Sequence, residues 1–219
     1  MDLENTTYKV ILFDIGCYKG EVLQRCISII HKLKMDYVVY AFEADPYTYS
    51  KTKKRFINDK NIHLYNCAIT SKRARIKLYR NAKRPKGGGQ GNSIYKDKRN
   101  VGKKFVETDG KPISAILSKF NKSPTDIYII KANIEGAEYD LICDMHKHDL
   151  FKQFDLFLGT NGGWTKDMGK VPSLQGQIKK AEKIIAKHGI KIYDSAKVDL
   201  KAKIKDIIAT SNKTLGDLS

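Results

Sequence analysis

A strand that runs into a glycine-containing turn constrains the fold of this chain more than any other feature. The apolar run 10–13 ends at Asp14, and Gly16 and Gly20 follow before a helical pattern begins. A buried strand that ends in an acid and glycines and then enters a helix is typical of the nucleotide crevice of an open α/β sheet. Glycine permits a sharp turn and a close approach between backbone and ligand. The pattern therefore predicts an α/β fold with a ligand site at this turn.

The spacing of glycines and acids indicates which nucleotide such a site would hold. Glu43 closes the next apolar run. An acid about 20 to 30 residues beyond the glycines is where a carboxylate holds a ribose diol. A dinucleotide site would need the pattern G-x-G-x-x-G, whereas only Gly16 and Gly20 are present. Asp14 would repel a pyrophosphate but attract an amino group. These features favour S-adenosylmethionine, which carries an ammonium, a sulfonium and a ribose but no phosphate.

Four segments together resemble the motifs of a known family. In chain order they are Asp14-Ile15-Gly16-Cys17-Tyr18-Lys19-Gly20, Glu43-Ala44-Asp45-Pro46, Asn66-Cys67-Ala68 and Lys131-Ala132-Asn133-Ile134-Glu135-Gly136-Ala137-Glu138. Over about residues 8–160 the chain resembles the FkbM-type S-adenosylmethionine-dependent methyltransferases, a group of the class I Rossmann-like methyltransferases. Two positions depart from the family pattern, because Tyr18 replaces an asparagine and Asn133 replaces an aspartate.

Alternating strand and helix patterns predict a mainly parallel sheet with helices on both faces. With the resemblance, they indicate one Rossmann-like, doubly wound α/β domain over residues 1–219 with a seven-stranded sheet. The first five of these strands are predicted near residues 8–14, 37–43, 62–68, 127–133 and 154–159. Helices are predicted near residues 20–34, 46–58, 113–120, 136–145 and 173–188, and two short extra strands near 76–79 and 105–107. Residues 190–193 and 206–210 are predicted to close the sheet as an antiparallel pair.

Composition and cysteine spacing indicate the cellular compartment of the protein. The sequence has no run of about 18 apolar residues, so it predicts no membrane span. Residues 1–5 are acidic and lack the basic-then-apolar pattern of a secretion signal. The four cysteines are scattered without a C-x-x-C pair, which is typical of reduced cytosolic thiols. A cytoplasmic protein is therefore expected.

The formal net charge of +17 is concentrated in one segment. Residues 80–104 contain a single acid, Asp97, and nine cations: Arg80, Lys83, Arg84, Lys86, Lys96, Lys98, Arg99, Lys103 and Lys104. With the glycines of residues 87–91, they predict a mobile, basic, Gly-rich loop that could bind RNA or an anionic acceptor. The alternative is an ordinary solvated lysine surface, because only seven of the 41 cations are arginine, the residue preferred for phosphate recognition.

The carboxyl ends of strands one, four and five are expected to face the crevice of such a sheet. The expected cofactor-binding residues follow the first four strands. Asp14 is expected to bind the methionine amino group, directly or through water, and Glu43 the ribose hydroxyls. Gly16 and Gly20 would allow close approach. The resemblance adds motif positions beside the cofactor and two candidates to flank the adenine, and these four residues are Tyr18, Ala44, Asn66 and Ala68.

The expected catalytic residues are Lys131, Asn133 and Glu135. Strand alternation puts all three on one face if the fourth strand continues that far. Glu135 is placed to act as a base or to bind the methionine end, so it is also an expected cofactor-binding residue. Asn133 could ligate Mg²⁺ through its carbonyl, but no second carboxylate follows the fifth strand in residues 159–163. The sequence therefore gives no support for a metal site.

Three functions remain open from the sequence. The resemblance implies an O-methyltransferase that acts on a hydroxyl of a sugar, glycan or small metabolite. The basic loop motivates an RNA methyltransferase acting at a ribose 2′-oxygen or a cap, although Asn133 stands where such enzymes commonly have an aspartate. The departures at Tyr18 and Asn133 motivate a binding protein that kept the fold and lost the activity.

Overall fold

The computed structural model describes residues 7–86, 89–160 and 163–216, except the side chains of residues 213–216. The strands are β1 (Lys9–Ile15), β2 (Asp36–Phe42), β3 (Ile62–Tyr65), β4 (Ala68–Ile69), β5 (Ala74–Asn81), β6 (Val101–Lys111), β7 (Asp126–Ala132), β8 (Leu156–Gly159) and β9 (Ile192–Asp194). The helices are α1 (Glu21–Lys32), α2 (Pro46–Arg55), α3 (Ile113–Leu117), α4 (Glu138–Lys147), α5 (Trp164–Met168), α6 (Ile178–Lys187) and α7 (Leu200–Gly216), with short 3-10 helices at Phe151–Gln153 and Pro172–Gln177. No helix in the described ranges is long and apolar enough to cross a membrane.

The main sheet has six parallel strands in the order β3-β2-β1-β7-β8-β9. Its central strands, β1 and β7, are buried at every position after the first, which explains their nearly continuous apolar sequences. Asp14 lies in register with Ala41 of β2 on one side and Lys131 of β7 on the other. All six carboxyl ends therefore meet at one edge, where the predicted motifs follow the strands.

Helices cover both faces of this sheet, as the alternating pattern predicts. On one face, Ile11 and Phe13 of β1 belong to a core built with α3, α4, α5 and α6. On the other face, Val10 and Leu12 pack with α1 and α7. The strict alternation along β1 sends successive side chains into the two cores, so this strand fixes the centre of the domain.

The predicted closing strand pair is wrong in two respects. Residues 206–210 belong to helix α7, and β9 pairs parallel, not antiparallel, with β8. The sheet consequently has six strands instead of seven. The apolar residues Leu200, Ile204, Ile207 and Ile208 recur at helical spacing and pack against the α1 face of the core. The pair Ile207-Ile208 alone fits a strand equally well, so the tertiary contact decides the outcome.

A second, three-stranded sheet stands beside the main one, in the order β4-β6-β5. Strands β5 and β6 form a long antiparallel hairpin, of which the predicted strands 76–79 and 105–107 are the middle parts. The hairpin has an irregularity between Tyr79 and Asn81, and Ser93 of the connecting loop pairs with Tyr79 through two backbone hydrogen bonds. The basic loop is thereby folded back toward the main sheet. Its residues 87 and 88, and residues 161 and 162 of the predicted loop after β8, lie outside the described ranges.

Candidate functional site

A cleft of about 690 Å³, its open mouth included, lies at the carboxyl ends of β1, β2 and β7. One wall is formed by the sequence motifs, with Gly16, Tyr18, Glu43, Ala44, Asn133 and Glu135. The opposite wall comes from β5 and the basic loop, with Leu78, Gly89, Gln90, Gly91, Asn92 and Ile94. Ala68 and its neighbours Cys67 and Ile69 line the cleft between these walls.

The first turn is clamped between the two neighbouring strands. The backbone N–H groups of Gly16 and Cys17 both donate to the carbonyl of Phe42, at 2.9 and 3.0 Å. Gly16 has a left-handed φ of +74°, and a Cβ there would lie 2.2 Å from the carbonyl oxygen of Asn133. The backbone of Asn133 therefore requires a glycine at position 16. Gly16 also lines the open cleft.

Gly20 has a different role from Gly16. It precedes α1 with φ +79°, and a Cβ there would lie 2.4 Å from Cε2 of Phe56. It is absent from the residues that line the cleft. The sequence predicted that both glycines admit a ligand, but the contact that demands glycine at position 20 is packing against an aromatic ring.

Glu43 is held at the cleft by backbone donors on both of its carboxylate oxygens. The N–H of Tyr18 donates to Oε2 at 2.9 Å, and the N–H of Asp45 donates to Oε1 at 2.8 Å. Burial raises the pKa of this carboxyl to about 7, although the two hydrogen bonds oppose the shift. Asn66 lies behind the site, where its amide donates to the carbonyls of Glu43 and Ala44 at 2.8 and 3.3 Å. Asn66 thus anchors the acidic segment and does not itself line the cleft.

Asp14 and Lys131 form a buried pair underneath the first turn. Lys131 Nζ lies 2.8 Å from Asp14 Oδ1 and donates to the carbonyl of Gly16 at 2.7 Å. Neither side chain is among those that line the cleft. Oδ2 of Asp14 is buried and has no hydrogen-bond partner among the described residues. The predicted contact between Asp14 and an amino group remains a prediction, and the pair supports the turn from below.

The fourth-strand motif is divided between the cleft and the layer beneath it. Strand β7 ends at Ala132, so the alternation that would align Lys131, Asn133 and Glu135 stops before the last two residues. Asn133 and Glu135 line the cleft, whereas Lys131 lies below. The predicted common face required the strand to continue as far as Glu135, and it does not.

Glu138 organises the backbone around Glu135. Its Oε1 accepts from the N–H of Ile134 and its Oε2 from the N–H of Gly136, each at 2.7 Å. Burial, followed by the charge of Asp167, raises the pKa of Glu138 to about 7. Because the N–H groups on both sides of Glu135 are fixed, Glu135 keeps a left-handed φ of +59° that directs the chain into α4.

Two cations of the basic segment 80–104 are largely buried ion-pair partners of the motif acids. Arg80 Nη1 lies 3.1 Å from Asp45 Oδ2, and Lys98 Nζ lies 2.7 Å from Glu135 Oε2. The alternative of an ordinary solvated surface therefore does not hold for Arg80 and Lys98, whose side chains are 12% and 0% exposed. Neither pairing could be predicted from the sequence, where the two charges contribute only to the net charge of the segment.

Asp45 was also missed as a functional residue, although the sequence contained a signal for it. Its Oδ1 accepts from the N–H groups of Tyr47 and Thr48 at 2.9 and 3.1 Å and so caps helix α2. Its Oδ2 accepts from the Asn92 amide of the loop at 3.0 Å. An aspartate directly before a proline is a typical N-cap, but its second oxygen could be assigned only from the tertiary structure. Within the described part of the chain, no group of three or more His, Cys, Asp or Glu side chains is arranged to hold a metal ion.

Comparison with known proteins gives one family match. Residues 14–168 match the model of the methyltransferase FkbM domain. The crystal structure of methyltransferase FkbM from Methylobacillus flagellatus KT is similar over 82% of this chain and 37% of that chain, with 15% sequence identity and a TM-score of 0.46. This chain therefore spans well under half the length of that protein. No curated protein matches the chain.

Proposed function

Because the chain belongs to the FkbM methyltransferase family, we propose that it binds S-adenosylmethionine in the cleft and methylates a hydroxyl oxygen of a sugar, glycan or small metabolite. One observation carries the proposal. In a chain of net charge +17, the described residues that line the cleft include two acids, Glu43 and Glu135, and no Lys, Arg or His. Such a lining favours a cationic nucleoside over a nucleotide that carries phosphate.

The residues present fit this cofactor. Glu43 keeps unused lone pairs on both carboxylate oxygens, which can accept hydrogen bonds from a ribose diol. The apolar side chains of Phe42, Ile69 and Leu78 offer a surface for an adenine ring. Gly16 leaves its side of the cleft free of a side chain. Ala44 and Ala68 line the same region, where their small side chains leave room for a ring.

The role of this chain in the reaction is to position the cofactor and the acceptor. S-Adenosylmethionine, when bound, would supply an activated methyl group whose carbon an acceptor oxygen can attack. Asn133 and Glu135 line the cleft and can contact a reacting group. Lys131 can act only through the Gly16 carbonyl and Asp14, so we propose a supporting role for it. As the new carbon–oxygen bond forms, the carbon–sulfur bond would break, S-adenosylhomocysteine would leave, and the hydroxyl proton of the acceptor would pass to water.

Titration calorimetry with S-adenosylmethionine and S-adenosylhomocysteine tests the proposal. The wild-type chain is expected to bind both ligands, and Glu43→Gln to weaken both by about tenfold or more, because a charged hydrogen bond to the diol is lost. Glu182→Gln on the exposed face of α6 is the matched control and should bind like wild type. Absence of heat at millimolar ligand would contradict the proposal. Binding without methyl transfer to any acceptor pool would favour the alternative of an inactive binding protein.

RNA is a second candidate acceptor, and one observation favours it. Seven cations of the basic segment are exposed and have no ion pair among the described residues: Lys83, Arg84, Lys86, Lys96, Arg99, Lys103 and Lys104. If RNA is the acceptor, Lys103→Glu with Lys104→Glu should weaken RNA binding and reduce the slope of log K against log salt by about two. Lys201→Glu on α7 is the control. Radiolabelled methyl transfer into RNA against glycan pools separates the two acceptors.

We also propose a single domain in the cytoplasm. Strand β9 and helix α7 lie beyond the matched residues but complete the same sheet and core, which supports one domain. The four cysteines Cys17, Cys26, Cys67 and Cys143 are free, which is compatible with a reducing compartment. Fractionation of cells that express the chain tests the location.

A further inference from the structure

Lys98 lies in the loop between β5 and β6, and its side chain is fully buried. Removing an ammonium from water is unfavourable unless charged or hydrogen-bonding partners surround it. Here Nζ lies 2.7 Å from Glu135 Oε2, donates to the carbonyl of Gly91 at 3.3 Å and also donates to Oδ1 of Asn100. These three acceptors match the three hydrogens of the ammonium, so Lys98 has no donor left for a ligand.

The same loop also holds the backbone of Glu135. Ser93 Oγ donates to the carbonyl oxygen of Glu135 at 2.8 Å, and Ser93 is itself paired with Tyr79 of β5. The left-handed φ of +59° at Glu135 is unfavourable for a residue with a Cβ and persists only where the surroundings impose it. The loop and Glu138 together therefore fix the backbone of Glu135, and the loop also holds its side chain.

The position of Glu135 relative to Glu43 indicates what it faces. Strand β1 lies between β2 and β7 in the sheet, so the two acids flank the first turn from opposite sides. A nucleoside whose ribose is held by Glu43 and which crosses the turn at Gly16 reaches the side of Glu135. At that end S-adenosylmethionine carries the amino acid group. Lys98 occupies Oε2 of Glu135, and the carboxylate keeps lone pairs that can accept from an ammonium.

Resting on the proposed function, with Glu135 at the methionine end of the cofactor as the sequence predicts, we infer that Lys98 is a positioning residue for Glu135. Lys98 acts without touching the ligand. It fixes the carboxylate from behind, while Ser93 fixes the backbone of the same residue. The basic loop thus contributes to cofactor recognition through a buried cation, besides any role of its exposed cations.

Calorimetry with two matched ligands tests this inference without measuring activity. S-Adenosylhomocysteine and 5′-methylthioadenosine share the nucleoside and a neutral sulfur, but only the first has the amino acid end. We expect Lys98→Met and Glu135→Gln each to weaken S-adenosylhomocysteine by about tenfold or more and to change 5′-methylthioadenosine by less than about threefold. Both single variants break the same interaction, the ion pair of Lys98 and Glu135. The double variant should therefore bind S-adenosylhomocysteine no more weakly than Glu135→Gln alone.

The conservative variant and a surface variant complete the design. Lys98→Arg should restore most of the affinity for S-adenosylhomocysteine, whereas a purely steric role would not be rescued. Lys201→Met removes an exposed cation of α7 and should leave both affinities unchanged. If Lys98→Met does not fold, Glu135→Gln alone must still show the difference between the two ligands.

Three results would overturn the inference. Equal weakening of both ligands would mean that the pair supports the cleft as a whole. Unchanged affinity for S-adenosylhomocysteine in Glu135→Gln would contradict the proposed contact with the cofactor, but it would not contradict the proposed function. A wild-type chain that binds neither ligand would contradict the proposed function and this inference together.

Discussion

Asp14 and Lys131 are register partners on the adjacent strands β1 and β7, and their side chains form a buried ion pair at 2.8 Å. Lys131 also donates to the carbonyl of Gly16, so one ammonium joins both central strands to the first turn. Each residue belongs to a different sequence motif. The relationship explains how two motifs more than a hundred positions apart are kept in one geometry.

The first prediction follows from that pair. Lys131→Met should destabilise the fold by about 3–5 kcal/mol, because it leaves the carboxylate of Asp14 buried without its partner. The double variant Lys131→Met with Asp14→Asn should recover much of the loss, since neither charge then remains. Urea denaturation of the wild type, both single variants and the double variant measures the coupling. Additive losses would show that the two side chains do not interact energetically.

The second prediction concerns the pH dependence of ligand binding. Burial raises the pKa of Glu43 to about 7, so its carboxyl is increasingly protonated below that pH. A ribose diol needs acceptors, and affinity for S-adenosylhomocysteine should therefore rise as the pH increases through about 7 and level off above it. The slope below pH 7 can be at most about tenfold per pH unit. In Glu43→Gln this dependence should disappear, and a wild-type affinity that is flat from pH 6 to 8 would contradict the assignment.

The third prediction concerns the stability of the free protein and Glu138. Its folded pKa of about 7 lies above its ordinary value of 4.5, because burial disfavours the charged form. Between these values the folded chain keeps a proton that the unfolded chain has lost. The stabilisation from this group is therefore complete below pH 4.5 and is lost as the pH rises to about 7. Denaturation curves of Glu138→Gln and wild type should differ in pH slope over this range, and parallel slopes would argue against the shift.

The fourth prediction separates backbone strain from a steric clash at Gly16. Gly16→Ala should destabilise the fold by several kcal/mol and abolish cofactor binding, since its Cβ would lie 2.2 Å from the Asn133 carbonyl oxygen. Gly189→Ala is the matched control, with φ +63° and no atom within 4 Å of the added Cβ. It should lose only about 1–2 kcal/mol of left-handed strain. Similar losses in thermal denaturation for both variants would mean that the contact with Asn133 relaxes easily.

The fifth prediction compares two arginines of strand β5. Arg80 pairs with buried Asp45 and is 12% exposed, whereas Arg75 pairs with Asp109 at 2.8 Å and is 61% exposed. Arg80→Met should destabilise the protein by about 3 kcal/mol, because Asp45 loses its charged partner away from water. Arg75→Met should cost less than about 1 kcal/mol, as exposed pairs do. Equal effects in urea denaturation would show that the pair of Arg80 and Asp45 is no stronger than a surface pair.

Much of the fold follows from periodicity alone. The apolar runs that became β1 and β7 are buried on both sides, as is typical of interior parallel strands. The motifs after these strands meet at one edge because parallel strands share their carboxyl ends. Residues 206–210 were assigned wrongly because a pair of isoleucines fits a strand or a helix, and only packing against the core distinguishes them.

The sequence by itself determined the layered sheet, the edge that carries the site and the presence of Gly16, Glu43, Asn133 and Glu135 at that edge. The tertiary structure decided which of the predicted residues reach the cleft. It placed Asp14, Lys131 and Asn66 behind the site, and it buried Lys98 against Glu135. Backbone periodicity is local and is encoded residue by residue, whereas an ion pair depends on how a distant loop folds over the sheet. No local pattern records that second kind of contact.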